Sequence, residues 1–170
     1  DVGRMSMSNR PDRSDMDYIN LQLRTAPRLN VEGLPLIKPP YGQIVALDLN
    51  EGEKLWDVVH GETPDSIRNH PALAGLDIPR TGQAGRVGVL VTKTLLIAGD
   101  GGSYTNANGE QEALLRAYDK LTGRQLGSLS MPAQQTGSPM TYAIDGVQYL
   151  AVAISGSDVP GRLRIYSYEP

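Results

Sequence analysis

The sequence contains no cysteine. It forms no disulfide, carries no thiol nucleophile and offers no thiolate to a metal. It has no phenylalanine and a single tryptophan, Trp56, so its aromatic surface rests on eight tyrosines. The uncharged apolar stretches, such as that around residues 87–91, fall far short of the ~20 residues that cross a bilayer as a helix. Nor is there an excess of either charge: 16 basic residues face 19 acidic ones, for a net charge of −3. That balance gives no footprint for nucleic acid. What is abundant is turn chemistry, with 19 glycines and 12 prolines in 170 residues. Such a composition favours many short strands over helices, and the expected class is all-β.

Residues 1–41 follow neither a helical nor an alternating period and are expected to form an irregular segment and loop. Pro39 and Pro40 hold the backbone extended as it enters the first strand. From residue 42 to residue 170 the pattern is β. Strands are expected at 43–48, 54–59, 87–92, 94–98, 114–119, 124–131, 140–144, 147–154 and 162–168. Asp145-Gly146 fits a type I′ hairpin turn. Residues 60–85, punctuated by Pro64, Pro71 and Pro79, form a long insertion, and long ordered loops in compact domains are usually functional.

An internal repeat organises this region. Ala46, Asp48 and Gly52 recur as Ala117, Asp119 and Gly123, an offset of 117 − 46 = 71 residues. A leucine follows each glycine by three positions. Trp56 ends the first copy, and Gly127 takes its place in the second. Glycine supplies the positive φ of a tight turn, and aspartate binds the turn amides. The small alanine admits a neighbouring sheet, and the tryptophan covers apolar surface between sheets. These seven residues (Ala46, Asp48, Gly52, Trp56, Ala117, Asp119 and Gly123) are expected to hold structure together rather than do chemistry. Without the insertion, the unit is close to the roughly 40–45 residues of a four-stranded propeller blade. The reading is a partial β-propeller of about two to two and a half blades: two strands of one, a full blade over 87–131 and three strands of another.

The 46–56 pattern resembles the tryptophan-docking motif of quinoprotein dehydrogenases, which carry pyrroloquinoline quinone (PQQ). Residues 33–42, 67–73, 85–95 and 135–142 resemble the membrane glucose/quinate branch of that family. The resemblance covers 33–170 and implies the C-terminal part of an eight-bladed propeller. It also implies PQQ and Ca²⁺ in a central funnel. The implied reaction is hydride transfer from a sugar, polyol or alcohol hydroxyl to the quinone, with electrons passing to ubiquinone or a cytochrome. The implied compartment is the periplasm, at the periplasmic face of the bacterial inner membrane. The docking motif also occurs in non-catalytic propellers of the cell envelope, so a scaffold or binding role is the alternative.

The family's catalytic base and calcium ligands have no matching positions here. No catalytic or metal residue is assigned to this chain, which alone is expected to be inactive and without cofactor until further blades complete the funnel. The resemblance maps Arg86, Val87 and Gly88 to the quinone, with Arg86 suited to its carboxylates. Asn69 and His70, in the insertion, are expected at the funnel rim. His60 is expected to be an exposed loop residue. Residues 99–102 look like a phosphate-binding loop but lack a following Lys-Ser/Thr and helix, which favours a turn. Asp57, Glu62 and Asp65 are too scattered for a calcium loop.

Overall fold

The computed structural model describes residues 4–9, 17–22 and 29–168. By contacts the chain divides into Asp1–Ile37 and Lys38–Pro170. The first unit contains β1 (Arg4–Asn9) and β2 (Asp17–Gln22), paired antiparallel from Arg4↔Gln22 to Asn9↔Asp17. It also contains the short hairpin of β3 (Asn30–Val31) and β4 (Leu34–Pro35), turned by Glu32 and Gly33 at positive φ. The irregular segment expected over residues 1–41 is thus partly ordered as hairpins. Strands of two residues are too short to register as a period.

The second unit begins with β5 (Gln43–Asp48) and β6 (Glu53–Val59). The insertion holds one helical turn, α1 (Asp65–Arg68), and a 3₁₀ turn at Pro71–Leu73. A five-stranded sheet follows, made of β7 (Leu90–Val91), β8 (Leu95–Gly99), β9 (Tyr104–Thr105), β10 (Gln111–Asp119) and β11 (Gln125–Met131). Its order is β11-β10-β8-β7, with β9 beside β10. The last sheet is the meander β12 (Met140–Ile144), β13 (Val147–Ile154) and β14 (Arg162–Tyr168). Asp145 and Gly146 both have positive φ, 50° and 81°, as a type I′ turn requires. The strand expected over 87–92 shrinks to Leu90–Val91. Upstream of it the backbone lies against other loops instead of pairing: a Cβ on Gly85 would stand 2.4 Å from Gly101, and one on Gly88 would stand 2.0 Å from Ser138.

The three sheets stack face to face because side chains alternate across a strand. In β8 and β10 of the middle sheet, Leu96, Ala98 and Tyr118 pack against Ile44, Trp56 and Val58 of the first sheet. The opposite face presents Ala113, Leu115 and Met131 to Val152 and Ile154 of the last sheet. The outer faces of the end sheets remain apolar and open, with Leu47 and Leu55 at one end of the stack and Leu163 and Ile165 at the other all more than half exposed.

Both copies of the repeat fold alike. Asp48 Oδ1 accepts from the amides of Asn50 and Glu51, and Asp119 Oδ1 accepts from those of Leu121 and Thr122. Gly52 and Gly123 share φ 71°, and each strand pair shifts register just after the repeat alanine. The Trp56 ring lies on the second copy's turn and donates from Nε1 to the Lys120 carbonyl at 3.1 Å. A Cβ on Gly123 would approach Trp56 Cε3 to 2.6 Å, whereas one on Gly52 would meet nothing within 4 Å. Gly52→Ala is expected to cost about 1 kcal/mol from backbone strain alone. Gly123→Ala is expected to cost about 3 kcal/mol, because the ring must also be displaced. Urea unfolding of the two variants should separate them in that order, and equal losses would refute the docking geometry.

Candidate functional site

The topology sorts the connections. Tight turns at 49–52, 120–124 and 145–146 lie at one end of the stack. At the other end emerge the long connections: 60–89 after β6, 100–110 (with the short β9) after β8, 132–139 after β11 and 155–161 after β13. They are bound to one another there. Gln135 spans three of them, with its Oε1 accepting from Gly99 N at 2.6 Å, its Nε2 donating to the Gly88 carbonyl at 2.7 Å and its backbone bridging Ile154. Long loops on a rigid stack are where binding residues concentrate.

At this end the insertion is fastened by buried charge. Arg116, in the middle of apolar β10, is 1% exposed and Asp100 is fully buried. The guanidinium is bidentate on Asp100, with Nε–Oδ1 2.7 Å and Nη2–Oδ2 3.0 Å, and Nη2 also reaches Glu62 Oε1 at 3.0 Å. Burial would lower the pKa of Arg116, but the Asp100 carboxylate outweighs it and holds the guanidinium charged. Glu62 in turn pairs with Arg68 at 3.5 Å. Asp65 accepts from Thr105 Oγ1 at 2.6 Å and from the Thr105 amide. Burial opposes its ionisation, yet the Thr105 and Gln111 hydrogen bonds hold its carboxyl below the usual value.

His60 corrects the sequence reading. It is 3% exposed, not a surface loop residue. Its Nε2 lies 3.0 Å from the Gly99 carbonyl and its Nδ1 lies 2.8 Å from Tyr118 Oη. A carbonyl only accepts, so Nε2 carries the proton and Nδ1 accepts from the tyrosine. Burial lowers the pKa of His60, against the opposing pull of the Gly99 carbonyl and Asp100. Burial pushes Tyr118 up to about 12. The polar residues of this cluster are closed off from solvent or engaged with one another, so their role is to position the insertion. Arg116 sits among Leu114, Leu115 and Ala117 in the sequence. A charge embedded in an apolar strand signals a buried counter-charge, and the structure identifies it as Asp100.

The residues expected at the quinone and the rim all belong to connections at this end. Arg86 is exposed and forms no ion pair among the described residues. Val87 and Gln83 line a cavity of about 660 Å³ together with Tyr41, Trp56 and His60. That cavity runs along β5, which pairs only with β6 among the described residues. Gln83 Oε1 is buried there without a partner. Gly88 is held against Ser138. Asn69 caps α1 through its backbone, and His70 accepts the Ala72 amide on Nδ1 at 3.2 Å to open the 3₁₀ turn. No hydrogen bond or ion pair joins Arg86 to Asn69 or His70. Asp57, Glu62 and Asp65 are engaged separately, and no group of three His, Asp or Glu side chains placed to hold a metal occurs among the described residues.

Residues 4–150 match the family model described as the PQQ-type glucose/ethanol/alcohol dehydrogenase β-propeller domain. The chain belongs to this family. Its strands form part of a β-propeller. Quinoprotein glucose dehydrogenase A of Acinetobacter calcoaceticus is 28% identical over 124 residues, covering 73% of this chain and 14% of that protein. A probable quinate dehydrogenase (quinone) of Xanthomonas campestris pv. juglandis is 31% identical over 135 residues, covering 76% and 15%. The glycerol dehydrogenase large subunit of Gluconobacter thailandicus is 30% identical over 125 residues, covering 73% and 16%. The chain therefore spans about one-seventh of the length of these relatives. No solved structure matches it.

Two outcomes test the buried cluster. Arg116→Met leaves Asp100 buried without a counter-charge and is expected to cost about 3–5 kcal/mol. The Asp100→Leu/Arg116→Met pair should recover a measurable part of that in urea unfolding, and an additive double loss would refute a coupled pair. For His60, the folded-state pKa lies below the ordinary 6.5. As pH falls through 6.5 the unfolded chain takes up a proton that the native imidazole refuses, so stability drops below that pH until the folded-state pKa is reached. His60→Gln should remove this component from the stability–pH profile.

Proposed function

We infer that this chain supplies blades at the C-terminal end of a PQQ-dependent dehydrogenase that oxidises a hydroxyl of a sugar, polyol or related alcohol at the periplasmic face of the inner membrane. The observation that carries the reading is the agreement of the relatives, whose names specify a quinoprotein acting on glucose, a quinone-linked enzyme acting on quinate and a dehydrogenase acting on glycerol. The open apolar faces of the two end sheets support it, since further blades of the same propeller would cover Leu47 and Leu55 on one side and Leu163 and Ile165 on the other. The remaining blades would bring the catalytic base. The described residues provide no donor set that fits Ca²⁺, so no step is assigned to that ion here.

PQQ fits one feature of this chain. Arg86 offers an exposed guanidinium that forms no ion pair among the described residues, beside the cavity-lining Val87. A guanidinium binds a carboxylate bidentately, and PQQ is a polycarboxylate. When bound, PQQ supplies the quinone that accepts hydride. In this reading Arg86 holds a cofactor carboxylate, Val87 and Gly88 shape the adjoining wall, and Asn69 and His70 edge the funnel mouth.

The full-length protein, reconstituted with PQQ and Ca²⁺, should reduce a dye with glucose, quinate or glycerol as donor. Failure with every polyol tested would overturn the reading. Arg86→Ala should weaken PQQ binding about tenfold, as expected for loss of one charge-assisted contact. A titration followed by quinone absorbance would measure it, and unchanged affinity would remove Arg86 from the cofactor site.

A further inference from the structure

A second cavity lies at the loop-bearing end, between the middle and last sheets. It measures about 330 Å³ and is lined by Gln111 at the start of β10 and by Ser103, Gln134, Ser157 and Asp158 from the neighbouring loops, over a floor that includes Ala133. It differs from the larger cavity in one decisive way. The larger one borders the unpaired edge of β5, where a further strand would add. The smaller one is framed on both sides by sheets already packed together through Ala133, Val152, Ile154 and Val159, so completion of the propeller does not fill it with a strand.

Its chemistry is specific. Among the described residues, Ser103, Gln134, Ser157 and Asp158 make no side-chain hydrogen bond or ion pair. Ser103 and Gln134 are half-buried, and Ser157 and Asp158 stand at the mouth. Half-buried polar groups such as Ser103 and Gln134 usually find partners, whereas Ser157 and Asp158 face solvent. Together they present two hydroxyls and a carboxamide, each able to donate and accept, and one carboxylate that only accepts. Gln111 is held in place by donating to Thr105 Oγ1 at 2.6 Å, which leaves its Oε1 as a further acceptor. The wall has no cation, which disfavours an anion, and a lone carboxylate is too few ligands for a metal ion. A volume near the lower bound of the ~300–1,000 Å³ typical of ligand sites suits a molecule of few atoms.

We propose that this cleft binds a small, neutral, polyhydroxylated molecule, with Gln134 and Asp158 as its principal hydrogen-bonding partners, at a site distinct from the larger cavity. This assignment does not depend on the dehydrogenase reading.

The test is calorimetric titration of the full-length protein, prepared without PQQ, using D-glucose and glycerol as probes. A saturable component should appear for at least one probe. Gln134→Ala and Asp158→Asn should each weaken it about fivefold, the effect of one lost hydrogen bond. Ser157→Trp, a surface change that plugs the mouth, should abolish it while leaving the thermal midpoint unchanged. Binding that is absent for both probes, or indifferent to all three variants, overturns the proposal. Dye reduction measured separately on the PQQ-loaded protein reports on the dehydrogenase reading, so each idea can fail without the other.

Discussion

The insertion at the loop-bearing end is fastened to the middle sheet by one buried ion pair. Arg116 and Asp100 are both withdrawn from water, and a charge in that setting must be met by a partner of fixed geometry. Asp100 directly follows β8, Arg116 stands in the middle of β10, and Glu62 brings the start of the insertion to the same guanidinium. The pair therefore determines where three separate pieces of chain meet. The neutral His60–Tyr118 bond lies on the same face of β10 and repeats the tie with no net charge. A connection of more than two dozen residues with only two helical turns is held by these contacts rather than by its own regular structure.

The middle sheet is what makes a stack possible. Alternation in β8 and β10 gives it two buried faces, and glycine allows the loops above it to approach backbone to backbone. Gly85 and Gly101 each occupy the space a Cβ of the other would need. The glycine richness of the composition therefore reflects close packing at this end as much as turn formation.

Much of this was legible in the chain. The repeat of Ala46, Asp48 and Gly52 with Ala117, Asp119 and Gly123 predicted two matching turns, and they match in φ, in capping and in register shift. Asp145-Gly146 predicted its hairpin because only certain residues accept two successive positive φ values. The failures have physical causes. Residues 87–89 carry strand-forming valines, yet Gly85 and Gly88 dock on loops far away in sequence, and tertiary contact overrides local preference. His60 looked exposed because it follows a strand, and its burial depends on Tyr118 and Gly99, which the sequence separates from it by 58 and 39 positions. The hairpin of β1 and β2 left no period strong enough to read among its polar neighbours.

Trp56 belongs to one sheet and its seat belongs to the next. Donor and acceptor surfaces are therefore different patches, and the contact is heterologous, like that between subunits in a ring. A contact of this kind has a direction: it links each unit to its successor and cannot be made in reverse. With Gly127 standing where the next tryptophan would be, the second joint uses the apolar packing around Met131 and Val152, together with the Gln135 bridge. Successive joints in one stack thus use different chemistry, so the chain distinguishes its own neighbours. That distinction keeps a repetitive fold in register along a single sequence.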